Sequence, residues 1–164
     1  MDELRTKRLL LRRATIADLD AIHALLSNPE AMRYWSSVPH TERAESEEWL
    51  QSMVDADPAA RDDFCVELDG HVIGKLGCWQ LPEIGFLFDP AYWGQGYASE
   101  AMAAYLDRRR AIGTPSPITA DVDPRNDRSL ALLVRHGFVE TGRQERTWNV
   151  GGEWCDSVYL ELRL

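Results

Sequence analysis

The sequence predicts an α/β (α+β) fold: a mixed, mostly antiparallel central sheet flanked by helices. Strand-like and helix-like segments follow one another in the order β-α-α-β-β-β-α-β-α-β-β. One helix stands between two strands with no room for another element, which predicts one parallel pair of strands. The chain has 164 residues, 45% of them hydrophobic, so we expect one domain over residues 1–164.

The first half of the chain supplies a strand and two helices. Residues 6–13 form the predicted first strand. The segment Thr15-Ile16-Ala17-Asp18 has the pattern of a capping box and predicts a helix start, and Asn28-Pro29 predicts its end. A second helix is expected over residues 41–54, where the apolar positions have helical spacing.

The second half contains most of the sheet. Asp69-Gly70 is a strong hairpin signal between two apolar runs, and Val150-Gly151-Gly152 joins the last two strands. Gly113 to Pro117 is predicted to be a loop. The predicted strands are 64–68, 72–80, 83–89, 118–122, 138–148 and 153–163, and the predicted helices run from the loop after residue 93 to about 112 and over 127–136.

The most informative stretch is residues 93–99, Trp-Gly-Gln-Gly-Tyr-Ala-Ser, which joins a strand to a helix. Two glycines leave backbone N–H groups unshielded, and a helix N-terminus adds unpaired donors and a positive dipole end. These features favour a phosphate or pyrophosphate site. The Gly-Lys-Ser/Thr ending of a Walker loop is missing, and a dinucleotide fingerprint would follow the first strand. A tight turn that needs positive φ is the alternative interpretation.

A second block supports the phosphate interpretation. Strand 118–122 leads into Asp123-Pro124-Arg125-Asn126-Asp127-Arg128-Ser129 and a short helix that ends at Gly137-Phe138. With both blocks in this order, the chain resembles the GNAT superfamily of N-acetyltransferases, most closely its RimJ/RimL-like branch. The first block is similar to the family's Arg/Gln-x-x-Gly-x-Gly/Ala loop and the second to its Asn-x-x-Ser…Gly-Phe segment.

The resemblance implies acetyl-CoA as co-substrate and no metal. The loop would bind the pyrophosphate, and the pantetheine arm would pair with the strand before the loop. For Asn126 and Ser129, an ordinary role at a helix start is the alternative. The implied cofactor contacts are Phe86, Leu87, Phe88, Trp93, Gly94, Gln95, Gly96, Tyr97, Ala98, Ser99, Asn126 and Ser129.

The attacking amine must lose a proton, so the reaction needs a general base. We predict Glu83, which begins an otherwise apolar strand where desolvation would raise its pKa. A strand-end glutamate that faces water is the alternative, and Glu67 and Asp121 are reserve candidates. Trp35 is the predicted substrate contact, since aromatic walls suit an amine.

The chain departs from the family pattern at two positions. Leu133 stands where many members have a tyrosine for the departing thiolate, so Ser129 is the predicted hydroxyl donor. Trp93 stands at the loop's usual Arg/Gln position, which removes one phosphate-facing group. The backbone N–H groups of the loop remain available for binding.

Composition limits the possible partners. The net charge is −9, which argues against nucleic acid or an anionic membrane and suits an amine. No long apolar run or secretory leader is present. Three cysteines without Cys-x-x-Cys spacing fit a reducing compartment. We therefore expect a cytoplasmic protein, monomeric or homodimeric.

Together these observations predict an acetyl-CoA-dependent N-acetyltransferase. The acetyl group would pass directly to a primary amine in a ternary complex, because no cysteine has a histidine partner for a covalent step. The acceptor is a protein N-terminus or a small-molecule amine. The alternative is a catalytically inactive GNAT-fold domain that binds acyl-CoA as a sensor or interaction module.

Overall fold

The computed structural model describes residues 3–113 and 117–164. Within these residues, one sheet of eight strands carries four α-helices, with short 3₁₀ turns at Ile16–Asp18 and Pro90–Tyr92. The strands are β1 (Glu3–Arg5), β2 (Leu9–Arg12), β3 (Asp62–Leu68), β4 (His71–Gln80), β5 (Glu83–Phe88), β6 (Ile118–Val122), β7 (Val139–Val150) and β8 (Glu153–Leu162). The helices are α1 (Leu19–Leu26), α2 (Arg43–Val54), α3 (Tyr97–Ile112) and α4 (Asp127–Arg135).

The sheet has the order β1-β2-β3-β4-β5-β6-β8-β7. All neighbouring strands are antiparallel except β5 and β6, so the predicted mixed sheet is confirmed. In the described part of the chain, β5 and β6 are paired at a single position, Glu83 with Thr119. Beyond that pair the two strands are not paired, and a gap opens toward the C-terminal end of β5.

Apolar side chains cover both faces of the sheet. On one face, α3 and α4 bury Met102, Tyr105 and Leu133. On the other face, α1 and α2 pack Ile22 and Leu50 near the middle of the sheet. Over β6 and β8, partly buried polar side chains, among them Thr119, Asp121 and Glu161, line an open cavity described below.

The predicted first strand is interrupted. Residues 6–8 form a turn between β1 and β2 in which the Thr6 N–H donates to the Leu9 carbonyl at 2.9 Å. The cause lies far along the chain, because the Glu100 carboxylate accepts hydrogen bonds from the Thr6 hydroxyl and the Arg8 N–H, at 2.6 and 2.8 Å. The strand bends there and adds β1 to the predicted order.

The helix starts can be compared with the sequence one by one. The capping box of Thr15 and Asp18 is present, as predicted, and Asn126 caps α4. α2 begins at Arg43 rather than at residue 41, because Glu42 is its N-cap and Glu45 reaches back to the N-cap backbone. Residues 114–116 of the predicted 113–117 loop lie outside the described residues.

A cluster of buried charged side chains joins β4 to the start of β3. The Lys75 ammonium is 1% exposed and lies 2.9 Å from the Asp63 carboxylate. Arg61 donates two further hydrogen bonds to Asp63, each 2.9 Å long. Burial opposes ionisation of Asp63, but Lys75 and Arg61 outweigh it and hold the pKa of Asp63 below its usual value. Both charges are thereby paired inside the fold.

Candidate active site

A cleft of about 770 Å³ lies beside the gap between β5 and β6. Its walls come from β5, the loop before α3, the start of α4 and the segment after α1. Almost all residues predicted to contact the cofactor line it, and so does the predicted substrate residue Trp35. These lining residues are Phe86, Leu87, Phe88, Trp93, Gly94, Gly96, Tyr97, Ala98, Ser99, Asn126 and Ser129.

The glycine loop has the backbone geometry of an anion site. Gly94 and Gly96 have φ of 74° and 82°, values that favour glycine. Gly96 is the N-cap of α3, and no side chain caps this helix start among the described residues. The first N–H groups of α3 therefore remain as donors for a ligand.

Trp93 takes the family's Arg/Gln position and connects the loop to the sheet. Its indole N–H donates a 3.0 Å hydrogen bond to the Phe88 carbonyl at the end of β5. The Arg128 guanidinium lies 4.8 Å from the centre of the indole ring, within cation–π range. The Trp93 side chain thus connects the loop to β5, and the Arg128 guanidinium lies beside it at the cleft.

The backbone of β5 can serve as a pairing edge. The N–H of Asp89, directly after β5, donates a 2.9 Å hydrogen bond to the carbonyl of Ile73 on β4. Hydrogen bonds toward one neighbour alternate along a strand, so the backbone groups of Phe86 and Phe88 point away from β4, toward the gap. The N–H of Phe88 is therefore free to serve a ligand in the gap, whereas that of Leu87 faces β4.

The start of α4 presents one free hydroxyl to the cleft. The Asn126 side chain accepts a 3.2 Å hydrogen bond from the Ser129 N–H, as a helix cap does. The Ser129 hydroxyl has no partner among the described residues and lines the cleft. Leu133 is fully buried in the core and does not reach the cleft.

Two other predicted contacts have partners inside the protein. Gln95 does not line the cleft, and its carbonyl accepts a 2.9 Å hydrogen bond from Arg8. The Ser99 hydroxyl lies 2.8 Å from Nε2 of His136. Burial and nearby arginines lower the pKa of His136, which favours its neutral ring. Ser99 therefore links the first turn of α3 to the end of α4.

Four arginines line the cleft in a protein that is acidic as a whole. They are Arg33, Arg125, Arg128 and Arg135, against the two acidic residues Glu30 and Asp127. Sequence reasoning missed all four as site residues. Arg125 and Arg128 stand within the second block and could have been inferred from it, whereas Arg33 and Arg135 come from helices and loops that only the fold brings together.

Glu83 lies in a second cavity, of about 410 Å³, on the open part of the sheet. Among residues 3–113 and 117–164, none lines both this cavity and the cleft. Burial, and then the charge of Asp121, raise the pKa of Glu83. The residues around Glu83 come from β6, β7 and β8 and are Thr119, Ala120, Asp121, Thr141, Gly142, Tyr159, Leu160 and Glu161.

The two reserve bases differ in their surroundings. Asp121 shares the second cavity with Glu83 and accepts a hydrogen bond from Trp148. Glu67 lies on β3, where its carboxylate pairs with Arg12 at 2.7 Å, and it lines neither cavity. Over residues 3–113 and 117–164, no group of three or more His, Cys, Asp or Glu could hold a metal ion, and no helix could cross a membrane.

A mixed sheet with one separated parallel pair, and a glycine loop that opens a helix beside it, form the arrangement that the resemblance to the GNAT superfamily implies. The model of the acetyltransferase (GNAT) domain matches residues 8–139. The chain belongs to the GNAT acetyltransferase family. This confirms the predicted enzyme class, an N-acetyltransferase, and the predicted acetyl donor, acetyl-CoA.

Individual relatives agree with this family. The chain is 30% identical over 151 residues to the uncharacterized N-acetyltransferase p20 of Bacillus licheniformis, which covers 87% of this chain and 85% of that protein. The fold of the present chain is similar to that of RimL, a ribosomal L7/L12 α-N-protein acetyltransferase. The TM-score is 0.86 at 18% identity, and the match covers 99% of this chain and 94% of the RimL chain. The fold is also similar to that of a spermidine N-acetyltransferase from Vibrio cholerae, solved with CoA and spermine. Here the TM-score is 0.82 and the identity 25%, with 96% of each chain covered.

Proposed function

We propose that residues 1–164 act as a single domain that moves the acetyl group of acetyl-CoA to a primary amine by direct attack. The observation that carries this proposal is the cleft in which the positive-φ glycines and the unpaired edge of β5 meet. Pyrophosphate would bind the N–H groups of the loop and of the α3 start. The arginines that line the cleft would attract the remaining phosphate charge.

The pantetheine arm would lie in the gap along β5. Its amides need backbone partners, and the groups of Phe86 and Phe88 point to that side. The Trp93 indole already binds the Phe88 carbonyl, which leaves the Phe88 N–H as a donor for the acetyl oxygen, where negative charge develops. Ser129 would donate to the departing thiolate.

The amine would enter through the second cavity, where Glu83 takes its proton directly or through one water. The amine nitrogen then attacks the acetyl carbon, the carbon–sulfur bond breaks, and CoA leaves as a thiolate that accepts a proton. The raised pKa of Glu83 supports this role, because it makes the carboxylate a better base than an exposed one. β5 contributes to both linings, with Glu83 in the cavity and Phe86, Leu87 and Phe88 in the cleft.

The acceptor is a protein N-terminus or a small-molecule amine. Three acidic side chains line the second cavity, Glu83, Asp121 and Glu161, which fits a cationic acceptor. Among similar proteins, RimL acetylates a protein N-terminus and the Vibrio cholerae enzyme acetylates spermidine. Both acceptor classes therefore belong in the test.

An acceptor screen that follows release of the free thiol from acetyl-CoA tests the function. The panel should contain peptides with free N-termini, polyamines, amino acid analogues and aminoglycosides. We expect turnover with one class well above the hydrolysis rate, with mass spectrometry showing an amide on the acceptor nitrogen. Tight CoA binding without turnover of any amine would instead support the inactive acyl-CoA-binding domain.

A further inference from the structure

The pyrophosphate loop is held from outside by a residue of the β1–β2 turn. The Arg8 guanidinium donates a 2.9 Å hydrogen bond to the Gln95 carbonyl and lies 4.4 Å from the centre of the Tyr97 ring. A Cβ added to Gly96 would come within 3.3 Å of the same guanidinium. One side chain therefore touches three successive residues of the loop, although it does not line the cleft.

The hydrogen bond to Gln95 determines which way a loop donor points. The Gln95 carbonyl and the Gly96 N–H belong to one peptide unit, and in a trans peptide these two groups point in opposite directions. Because Arg8 draws the carbonyl outward, the Gly96 N–H is turned to the opposite side. Gly96 lines the cleft and Gln95 does not, as this geometry requires.

Glu100 holds Arg8 in place. Its carboxylate accepts hydrogen bonds from the Arg8 backbone N–H at 2.8 Å and from the Arg8 Nε at 2.7 Å. The Thr6 hydroxyl donates a third, at 2.6 Å. The guanidinium thus has a fixed orientation, with Nη1 left for Gln95, and a fixed donor loses less entropy than a free one when it binds.

The ion pair of Arg8 and Glu100 also balances the charge at the start of α3. A carboxylate in the first turn suits the helix dipole, but Glu100 would repel a pyrophosphate bound one turn away. Arg8 neutralises it through the 2.7 Å ion pair. The loop thus keeps the stabilising carboxylate while the local charge presented to a phosphate is balanced.

We propose that Arg8 is a positioning residue of the pyrophosphate loop, which turns the Gly96 N–H toward the phosphate by binding the Gln95 carbonyl and which neutralises Glu100. The inference rests on the proposed function, because it assigns Arg8 to the binding of the acetyl donor. Arg8 acts through the loop and touches neither the thioester nor the amine.

The test compares Arg8→Gln with the wild type on two acetyl donors. Acetyl-CoA carries the pyrophosphate, whereas S-acetylpantetheine lacks it and cannot use the loop. We expect the preference for acetyl-CoA, as the ratio of the two kcat/KM values, to fall about tenfold to hundredfold, the effect of one hydrogen bond to a charged group. The loss should appear in the KM for acetyl-CoA, because a phosphate contact binds ground and transition states alike.

Arg5→Gln is the matched control. Arg5 is an exposed arginine of the same hairpin and pairs with Glu3. Its substitution removes an equal charge at a distance from the loop. Its donor preference should equal that of the wild type. Arg8→Lys is the second variant if Arg8→Gln folds poorly: it keeps the charge beside Glu100 but loses the planar fork that reaches both Glu100 and Gln95, so it should lower the preference in the same direction.

A general structural defect would reduce kcat/KM for both donors equally, and an unchanged ratio in Arg8→Gln and Arg8→Lys would overturn the proposal. Calorimetric titration with CoA and with pantetheine provides the same ratio without any acceptor. A wild-type protein that uses or binds neither acetyl-CoA nor CoA sinks the proposed function itself. If the wild type prefers acetyl-CoA and Arg8→Gln keeps that preference, only the proposed role of Arg8 is contradicted.

Discussion

The indole N–H of Trp148 donates a 3.0 Å hydrogen bond to the carboxylate of Asp121. This bond connects β7 to β6 and fixes Asp121 in the cavity that it shares with Glu83. Burial and the charge of Asp121 together raise the pKa of Glu83. A tryptophan on the edge strand thereby helps to hold the charge that makes the proposed base more basic.

Glu83→Gln should lower turnover roughly 10²–10⁴-fold, the usual contribution of general acid–base catalysis. Much of the rate should return at high pH, because the free amine is then already neutral. Steady-state kinetics across pH measure both effects. Glu67→Gln is the control, since Glu67 pairs with Arg12 and lines neither cavity. A Glu83→Gln enzyme with the wild-type pH–rate profile would transfer the role to another carboxylate, with Asp121 next.

Asp121→Asn should move the acid limb of the pH–rate profile to lower pH. The base works when deprotonated, so activity rises as pH passes through the pKa of Glu83. Removal of the Asp121 charge lowers that pKa toward the usual glutamate value, while the amide oxygen still accepts from Trp148. The measurement is kcat/KM against pH with a fixed acceptor. A limb that stays in place, or moves upward, contradicts the coupling between the two carboxyl groups.

Gly96→Val should remove most of the thermal stabilisation that acetyl-CoA provides. At a hundredfold excess over its dissociation constant, a ligand stabilises the fold by about 2.7 kcal/mol. A β-branched residue strongly disfavours φ of 82°, so the loop would deform. Gly113→Val is matched, because Gly113 ends the same helix at φ of 64° with open space around it. That variant should lose stability but keep the shift, and an equal shift in Gly96→Val refutes the loop assignment.

Ser129→Ala should reduce kcat moderately and leave the KM for acetyl-CoA nearly unchanged, as expected of a group that acts only in the transition state. A thiolate is a fairly good leaving group, so the donor helps without being essential. The substitution keeps the backbone N–H that Asn126 caps, so the unfolding temperature should not move. Wild-type kcat in this variant would mean that the thiolate leaves without Ser129.

Asp63→Asn should cost about 3–5 kcal/mol of the free energy of unfolding at neutral pH, the usual effect of leaving a buried charge unpaired. The charge is that of Lys75, which is 1% exposed. The lowered pKa of Asp63 stabilises the fold above the unfolded value near 4, and this contribution is lost as pH falls through the folded pKa. Urea titrations should therefore show a flatter acid limb in Asp63→Asn. Asp107→Asn, at an exposed ion pair with Arg110, should change little.

The sequence was sufficient for elements that depend on local signals. The capping box at Thr15 and the turn at Asp69-Gly70 were predicted from neighbouring residues, and both are present. The interruption of the first strand was not predictable in this way. It depends on Glu100, which is more than ninety positions from Thr6, and no local pattern carries such a contact.

The site shows the same division. Most residues of the glycine loop and of the second block line the cleft. Both blocks could be found from the sequence because each is a continuous segment. The direction of Gln95, the arginines from separate elements and the separation of Glu83 from the cleft depend on tertiary packing. Leu133 is different, because helical spacing alone predicts it on the inner face of α4, and it is buried in the core.

The cleft and the second cavity have separate linings, and this affects the order of events in a catalytic cycle. A donor in one and an acceptor in the other do not block each other's path, so neither has to bind first. We therefore expect random-order sequential kinetics, with intersecting double-reciprocal lines. Each product can then depart through its own opening, so CoA should compete with acetyl-CoA while the acetylated amine competes with the amine.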